Sequence, residues 1–495
     1  MPHFTDLPPE VLALIGDLID TDTTKKPLVS VSRFCRQHFG HLRWRHLRLA
    51  HYTSWHFVKY LKPHAHSVRY LQFECGVHKG FYQVDFPGLV TFQYHSLEKD
   101  KKNKDVIGSL EDFISRHRTI RDLTIITLET GMSHHFWETV STSLLNPRRL
   151  KLDGGLYGGA VKNFMYGPEF WHACSRFEEV IYRGWDQSGS LDLGTVDFSQ
   201  LKSLDYATAA TLLPIYAATP VPTDAAKIWR WMGTCSSLTR LRWRTNISIE
   251  QLATVTERPL WPHLEDFSLD YVRGSEEDFA AVVLIHLPPL KRLTILMGPI
   301  GPVCFGILQE RHLDSLQTLS LTGTEMITSR MALDILIQFP HLVVFEADHI
   351  DLRDFRSTPQ PWVCQGLKRL RVTFESDPSD PGVDTLLLEQ LSKLVHLEEP
   401  YVTNCLSHFG FITGSETTTP LLSWKLDSGL GRLSTLTRLR AFICRRSGRD
   451  LEVEDIEWMM DHWPSLETLL GHFSSDSTVQ ESLIALIRQR GIHTS

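Results

Sequence analysis

Three arginines stand at alternate positions, Arg240, Arg242 and Arg244, in the stretch "LTRLRWRTN". In an extended chain such residues share one face, and guanidiniums side by side repel one another unless anions meet them. Two chemistries would satisfy them: carboxylates on neighbouring strands, giving a structural lattice, or an acidic or phosphorylated ligand. Carboxylates in comparable settings occur at Asp266 and Asp270 and at Glu346 and Asp348. Further arginines stand at Arg369 and Arg371, and at Arg438 and Arg440 followed by Phe442.

Nothing else in the chain has the spacing of a reaction centre. No G-x-S-x-G elbow, P-loop, H-E-x-x-H or kinase phrase occurs. The glycine-rich "DGGLYGGAVKNF" (Asp153 to Phe164) lacks the order of a phosphate loop and reads as a turn. "HAH" (His64, His66) and "HH" (His134, His135) have no cysteine or carboxylate set at ligand spacing, so they read as ordinary surface or core histidines. A non-catalytic protein with no metal and no cofactor is expected.

The elements that position the arginines come from a recurring phrase: apolar, two others, apolar, one other, apolar. Its clearest copies are "HLEDFSLDY", "PLKRLTILM", "SLQTLSLTG" and "HLVVFEADH", whose first leucines, Leu264, Leu290, Leu316 and Leu342, follow one another at intervals of 26. Looser copies begin at Val68, Leu89, Ile120, Phe177, Leu201, Leu238, Leu367, Leu397, Leu436 and Leu466. Between phrases lie helical stretches. In "SEEDFAAVVLIHLPP", Ser275 and Asp278 are spaced as a capping pair, Phe279, Val282 and Val283 follow at helical intervals, and Pro288 closes the run. "TSRMALDILIQFP" repeats the scheme.

One strand and one helix per unit of this length resembles the leucine-rich repeat. The resemblance implies an α/β solenoid in which the apolar positions point inward and the alternating residues line the concave face. On that face it places Arg240, Arg242, Arg244, Asp266, Asp270, Arg369, Arg371, Arg438 and Arg440 as candidate substrate-binding residues. The family's asparagine or cysteine is matched by Asn246, Cys405 and Cys444, but the most regular units carry Val272, Gly298, Thr324 and Ile350 there. An irregular solenoid is therefore expected, with loop insertions near 98–105, 207–226, 375–382 and 406–429. The second and fourth insertions carry aromatic or aliphatic residues that need burial.

The chain has 495 residues, more than one compact core holds, which itself favours several domains or a repeat array. Its 51 Lys+Arg against 58 Asp+Glu give a net charge of -7, so nucleic acid is not the expected partner. The eight cysteines are scattered without a C-x-x-C pair, and neither a signal-peptide pattern nor an 18-residue apolar run is found. No membrane association is expected, and the cytoplasm or nucleus is the expected compartment.

The segment "LPPEVLALIGDLI" is as apolar as a core. Prolines at 8 and 9 fit a first turn, and Val11, Leu12, Leu14, Ile15, Leu18 and Ile19 then cover an arc of about 160°, wider than one core contact needs. A second helix follows in "PLVSVSRFCRQHFG", and "HLRWRHLRL" introduces Trp44. Three short helices make too little core to stand alone. The stretch resembles the F-box: Leu7, Pro8, Glu10, Val11, Leu14, Ile15, Leu18, Leu28, Val31, Ser32, Arg33, Trp44 and Leu47 match its pattern, whereas Cys35 stands where that family tends to have a large aromatic.

The two resemblances imply a short N-terminal three-helix F-box module, residues 1–50, followed by the solenoid, residues 51–495. They imply that Leu7, Pro8, Glu10, Val11, Leu14, Ile15, Leu28, Val31 and Ser32 bind a Skp-family adaptor. Docked on a cullin-based ubiquitin ligase, the repeats would then present a protein substrate, acidic or phosphorylated, for ubiquitin-dependent degradation. A non-catalytic repeat scaffold, in which the opening segment only caps the solenoid, is the alternative. An enzyme on a repeat framework is disfavoured by the missing motifs.

Overall fold

The structure, a computed structural model, describes residues 42–50, 52–74, 76–96, 104–127, 132–154, 168–184, 196–208, 233–248, 261–324, 326–357, 360–375, 381–402, 423–444 and 450–494. The chain divides into two compact units, 1–209 and 210–495. Leu7, Pro8, Glu10, Val11, Leu14, Ile15, Leu28, Val31 and Ser32 lie outside the described residues, as does nearly all of the glycine-rich stretch after Gly154.

In the first unit the described strands are β1 (His46–Leu49), β2 (Tyr70–Glu74), β3 (Thr91–Ser96), β4 (Asp122–Thr127), β5 (Arg149–Asp153), β6 (Glu179–Gly184) and β7 (Ser203–Thr208). Each pairs in parallel with the next. The second unit holds β8 (Arg240–Ser248), β9 (Asp266–Arg273), β10 (Arg292–Leu296), β11 (Thr318–Thr322), β12 (Val344–Asp351), β13 (Arg369–Glu375), β14 (Glu399–Val402), β15 (Ala441–Cys444) and β16 (Thr468–Gly471), again parallel in chain order. This is a repeat array of the leucine-rich-repeat type: sequential parallel strands within each unit, with helices or 3-10 turns in most of the described connections.

The 26-residue interval is visible as registry. Arg292 stands opposite Asp266 on one side and Thr318 on the other, and Thr318 opposite Val344. The entry into each strand repeats as well: the N–H groups of Lys291 and Arg292 both donate to Glu265 O at 2.9 Å, and those of Gln317 and Thr318 to Lys291 O at 2.8 and 3.0 Å. Leu290, Leu293 and Ile295, the three apolar positions of one phrase, are fully buried. Ser329–Gln338 buries Met331, Ala332, Leu333, Ile335 and Leu336 along one face, and Thr328 caps it by accepting the Met331 N–H at 3.2 Å. Ser275 caps Glu276–Val282 in the same way, accepting the Asp278 N–H at 3.1 Å, as its spacing predicts.

The irregularity expected from the missing asparagines has a local explanation. Val272 and Ile350 fill that position with buried aliphatics, and the buried Thr324 hydroxyl donates to Leu321 O at 2.9 Å. At Gly298 a Cβ would lie 2.6 Å from Ile295 Cγ2, so the turn there closes over the core only without a side chain. Register shifts interrupt the ladders between Arg244 and Ile247 and between Glu346 and His349.

Some expectations change. β5 is a unit without a leading aliphatic: Pro147 occupies its first position, while Leu150 and Leu152 supply the buried pair. Leu47 lies in β1 and Trp44 in the short helix Leu42–Arg45, where it stacks on His64 with centroids 4.6 Å apart. Near the insertions, helices already begin at Lys104 and Pro381, and Trp424 is buried to 1 % exposure against Phe442, so the fourth insertion's need for burial is met at its end.

The phrase assigned to Leu436 begins instead at Leu439. The N–H groups of Arg440 and Ala441 both donate to Glu398 O, the pattern of a strand entry, so Phe442 takes the inward place. Phe442 is 1 % exposed and packs on Trp424 and Trp463. Two leucines three residues apart satisfy the same pattern, and only the ladder selects between them. Arg438 and Arg440 consequently precede the strand rather than alternating along it.

Candidate protein-binding face

Side chains on a strand alternate, so one face of each sheet packs on the helices and the other carries the residues between the apolar positions. In the second unit the first position of that outer face reads Arg240, Asp266, Arg292, Thr318, Val344, Arg369 and Glu399 along consecutive strands. The next reads Arg242, Ser268, Thr294, Ser320, Glu346 and Arg371. Arg240, Arg242 and Arg244 thus do share a face, as do Asp266, Asp270, Arg369 and Arg371.

Much of the charge is neutralised from within. Asp266 Oδ2 lies 3.0 Å from Arg240 Nε and 3.0 Å from Arg292 Nε, so one carboxylate bridges two neighbouring strands. It is only 8 % exposed, covered by the stems of the arginines it holds. Arg369 Nη2 pairs with Glu399 at 2.6 Å, and Arg440 Nη2 with Glu467 at 2.9 Å. Ser320 donates to Glu346 at 2.7 Å. Asp348 accepts the Gly323 N–H at 2.8 and 3.0 Å; burial pushes its carboxyl pKa up despite that hydrogen bond. Arg244 stands opposite Asp270.

Arg242 differs. Its neighbour across the ladder is Ser268, it is half-buried, and among the described residues its guanidinium meets no carboxylate. It is flanked in sequence by two arginines that do face acids, Arg240 toward Asp266 and Arg244 toward Asp270. An anion arriving on this face therefore finds Arg242 available.

The first unit carries its own paired lattice: Arg48 with Glu74, Arg149 with Glu179 at 3.0 Å and Arg183 with Asp205 at 3.9 Å. His95 contacts Gln72 at 3.4 Å, and burial lowers its pKa. His134 pairs with Glu169 at 3.0 Å and His135 with Glu138 at 3.5 Å, which gives each of the paired histidines a carboxylate partner. Cys174, Cys304 and Cys364 are buried, and burial raises their thiol pKa, the latter two to about 12. Such thiols are inert nucleophiles at neutral pH.

Arg292, the second partner of Asp266, is not apparent from the arginine triplet alone; the 26-residue interval linking it to Asp266 is the signal that finds it. No helix among the described residues is long and apolar enough to cross a membrane.

No family model and no curated protein matches the chain. Among solved structures, the crystal structure of the Rad7 and Elc1 complex in yeast aligns over 95% of this chain and 90% of that chain, at 12% identity and a TM-score of 0.35. That of the TLR13–ssRNA13 complex aligns over 86% of this chain and 68% of that chain, at 10% identity and a TM-score of 0.35.

Proposed function

We propose that the chain is the substrate-recognition subunit of a Skp–cullin–F-box ubiquitin ligase. Its N-terminal segment would bind a Skp-family adaptor, and the outer face of its repeats a protein substrate. The observation that carries the reading is the combination, in one sequence, of the F-box pattern from Leu7 to Leu47 with a repeat array presenting a long polar strand face. Such a subunit acts by effective concentration: it holds the substrate beside the charged conjugating enzyme and needs no catalytic group, metal or cofactor of its own. The buried thiols of Cys174, Cys304 and Cys364 suit the cytoplasm or nucleus.

Co-purification of the full chain with a Skp-family adaptor tests the reading. Wild type is expected to form the complex, and the Leu7→Ala, Pro8→Ala, Leu14→Ala triple variant to lose it. No complex from wild type, or an equally strong one from the variant, would favour a plain interaction scaffold instead.

A further inference from the structure

One position in the repeat lies just before each strand, where its N–H begins the ladder. In the second unit each cation there has an acid beside it: Lys291 with Glu265 at 2.7 Å, Lys368 with Glu398 at 3.0 Å, Arg440 with Glu467 at 2.9 Å. In the first unit Lys202 likewise pairs with Glu178 at 3.2 Å. Arg121 and Arg148 stand side by side in this row, the Arg148 N–H donating to Arg121 O at 2.7 Å, and the acid that follows Arg148 in the row, Glu178, is engaged by Lys202 instead. Both arginines are exposed, and neither guanidinium has a protein partner among the described residues.

The same two arginines line a cleft of about 650 Å3 in the first unit, together with Leu145, Pro147, Glu178 and Asp197. The charges around them are already engaged. Glu178 is held by Lys202, Asp197 accepts from Ser199 N and Oγ at 2.9 and 3.0 Å, and Arg176 is bound to the carbonyls of Ser141 and Leu144, the latter at 3.0 Å. Leu145, 60 % exposed, adds apolar surface at the rim.

We propose that this cleft binds an acidic protein segment, one carboxylate to each of Arg121 and Arg148. Adjacent strands lie about 4.8 Å apart, and acidic side chains one helical turn apart have Cβ atoms about 5–6 Å apart, so a Glu pair on one turn spans the two guanidiniums. The cleft is far larger than a lone ion needs, and its apolar rim suits the residues flanking the carboxylates. The site lies off the outer strand face, so it gives the proposed substrate-recognition reading, on which the word substrate depends, a second point of attachment for an acidic partner.

Fluorescence anisotropy of the full chain, without adaptor, tests this with fluorescein-labelled hexaglutamate. A protein of net charge -7 repels such a peptide in general, so binding needs a local site. Expected results are saturable binding of hexaglutamate and none of hexaglutamine. The Arg121→Gln, Arg148→Gln variant should lose at least tenfold in affinity with an unchanged melting midpoint, and the double lysine variant should recover part of it. Absent binding, or undiminished binding by the double glutamine variant, would overturn the proposal. Displacement by inorganic phosphate but not by sodium chloride of equal ionic strength would overturn it in favour of a phosphate site. Adaptor co-purification is read separately, so failure here is distinguishable from failure of the ligase reading.

Discussion

Asp266 Oδ2 sits 3.0 Å from Arg240 Nε across the β8–β9 ladder, in a carboxylate that is almost wholly covered although it belongs to the outer face. Because Arg292 approaches the same oxygen from β10, removing the acid strands two cations, whereas removing either arginine leaves the acid paired. Asp266→Ala is therefore expected to destabilise the chain by about 1–2 kcal/mol and Arg292→Ala by under about 1 kcal/mol, both arginines being partly solvated. Urea unfolding measures both; equal losses would contradict the bridge.

Arg242→Glu is expected to weaken capture of an acidic substrate while changing stability by no more than about 0.5 kcal/mol, since no native partner is lost. Arg240→Glu should instead lower stability, by placing a carboxylate against Asp266. Pull-down of substrate with a parallel thermal melt separates the two effects. An Arg242 variant with full capture would remove this residue from the binding face.

Phe442→Ala should cost about 3–5 kcal/mol, as large-to-small changes among buried aromatics do, because the ring fills space between Trp424 and Trp463. A strand phrase beginning at Leu436 would put the ring outward and make the same change nearly silent. Chemical denaturation of the single variant decides which register the chain uses.

His312 should make stability depend on pH. Its Nδ1 accepts the Leu290 N–H at 3.1 Å, the side chain is fully buried, and burial aided by the Arg311 charge pushes its pKa down to about 4. The unfolded chain takes up this proton near pH 6.5, so between about pH 6.5 and 4 the unfolded state holds more protons and stability falls as pH falls, by up to about 3 kcal/mol. His117, which accepts the Phe86 N–H at 2.8 Å and whose pKa burial also lowers, acts in the same direction. Urea unfolding at pH 7.5 and pH 5 should show a smaller drop for His312→Gln than for wild type.

Gly301→Ala is expected to cost about 1–3 kcal/mol by overpacking. A methyl there would lie 2.8 Å from Cδ of Glu276, a buried carboxylate that caps the helix Pro302–His312 by accepting the Cys304 N–H at 2.7 Å. Pairing it with Glu276→Ala, which removes the clash and the cap together, should give a combined loss smaller than the sum of the two. Strict additivity would mean that the two residues do not collide.

The repeat was legible because it is written locally. Leu264, Leu290, Leu316 and Leu342 at equal intervals fix both the spacing of strands and, through the two-residue alternation of an extended chain, which side chains face inward. Ser275 and Thr328 likewise announce their helices, since a cap bonds only within its own first turn. Where one local pattern fits twice, as at Leu436 and Leu439, or a proline replaces the first apolar residue, as at Pro147, the sequence alone misplaces or omits a unit.

The charged face divides along the same line. Sequence by itself determined that Arg240, Arg242 and Arg244 stand together and outward, because alternation is a property of one strand. Only the tertiary structure decided that Arg240 is spent on Asp266 while Arg242 is not, and that Arg121 and Arg148 adjoin each other in a cleft, because whether a charge is paired depends on the residue one repeat away that stacking brings beside it.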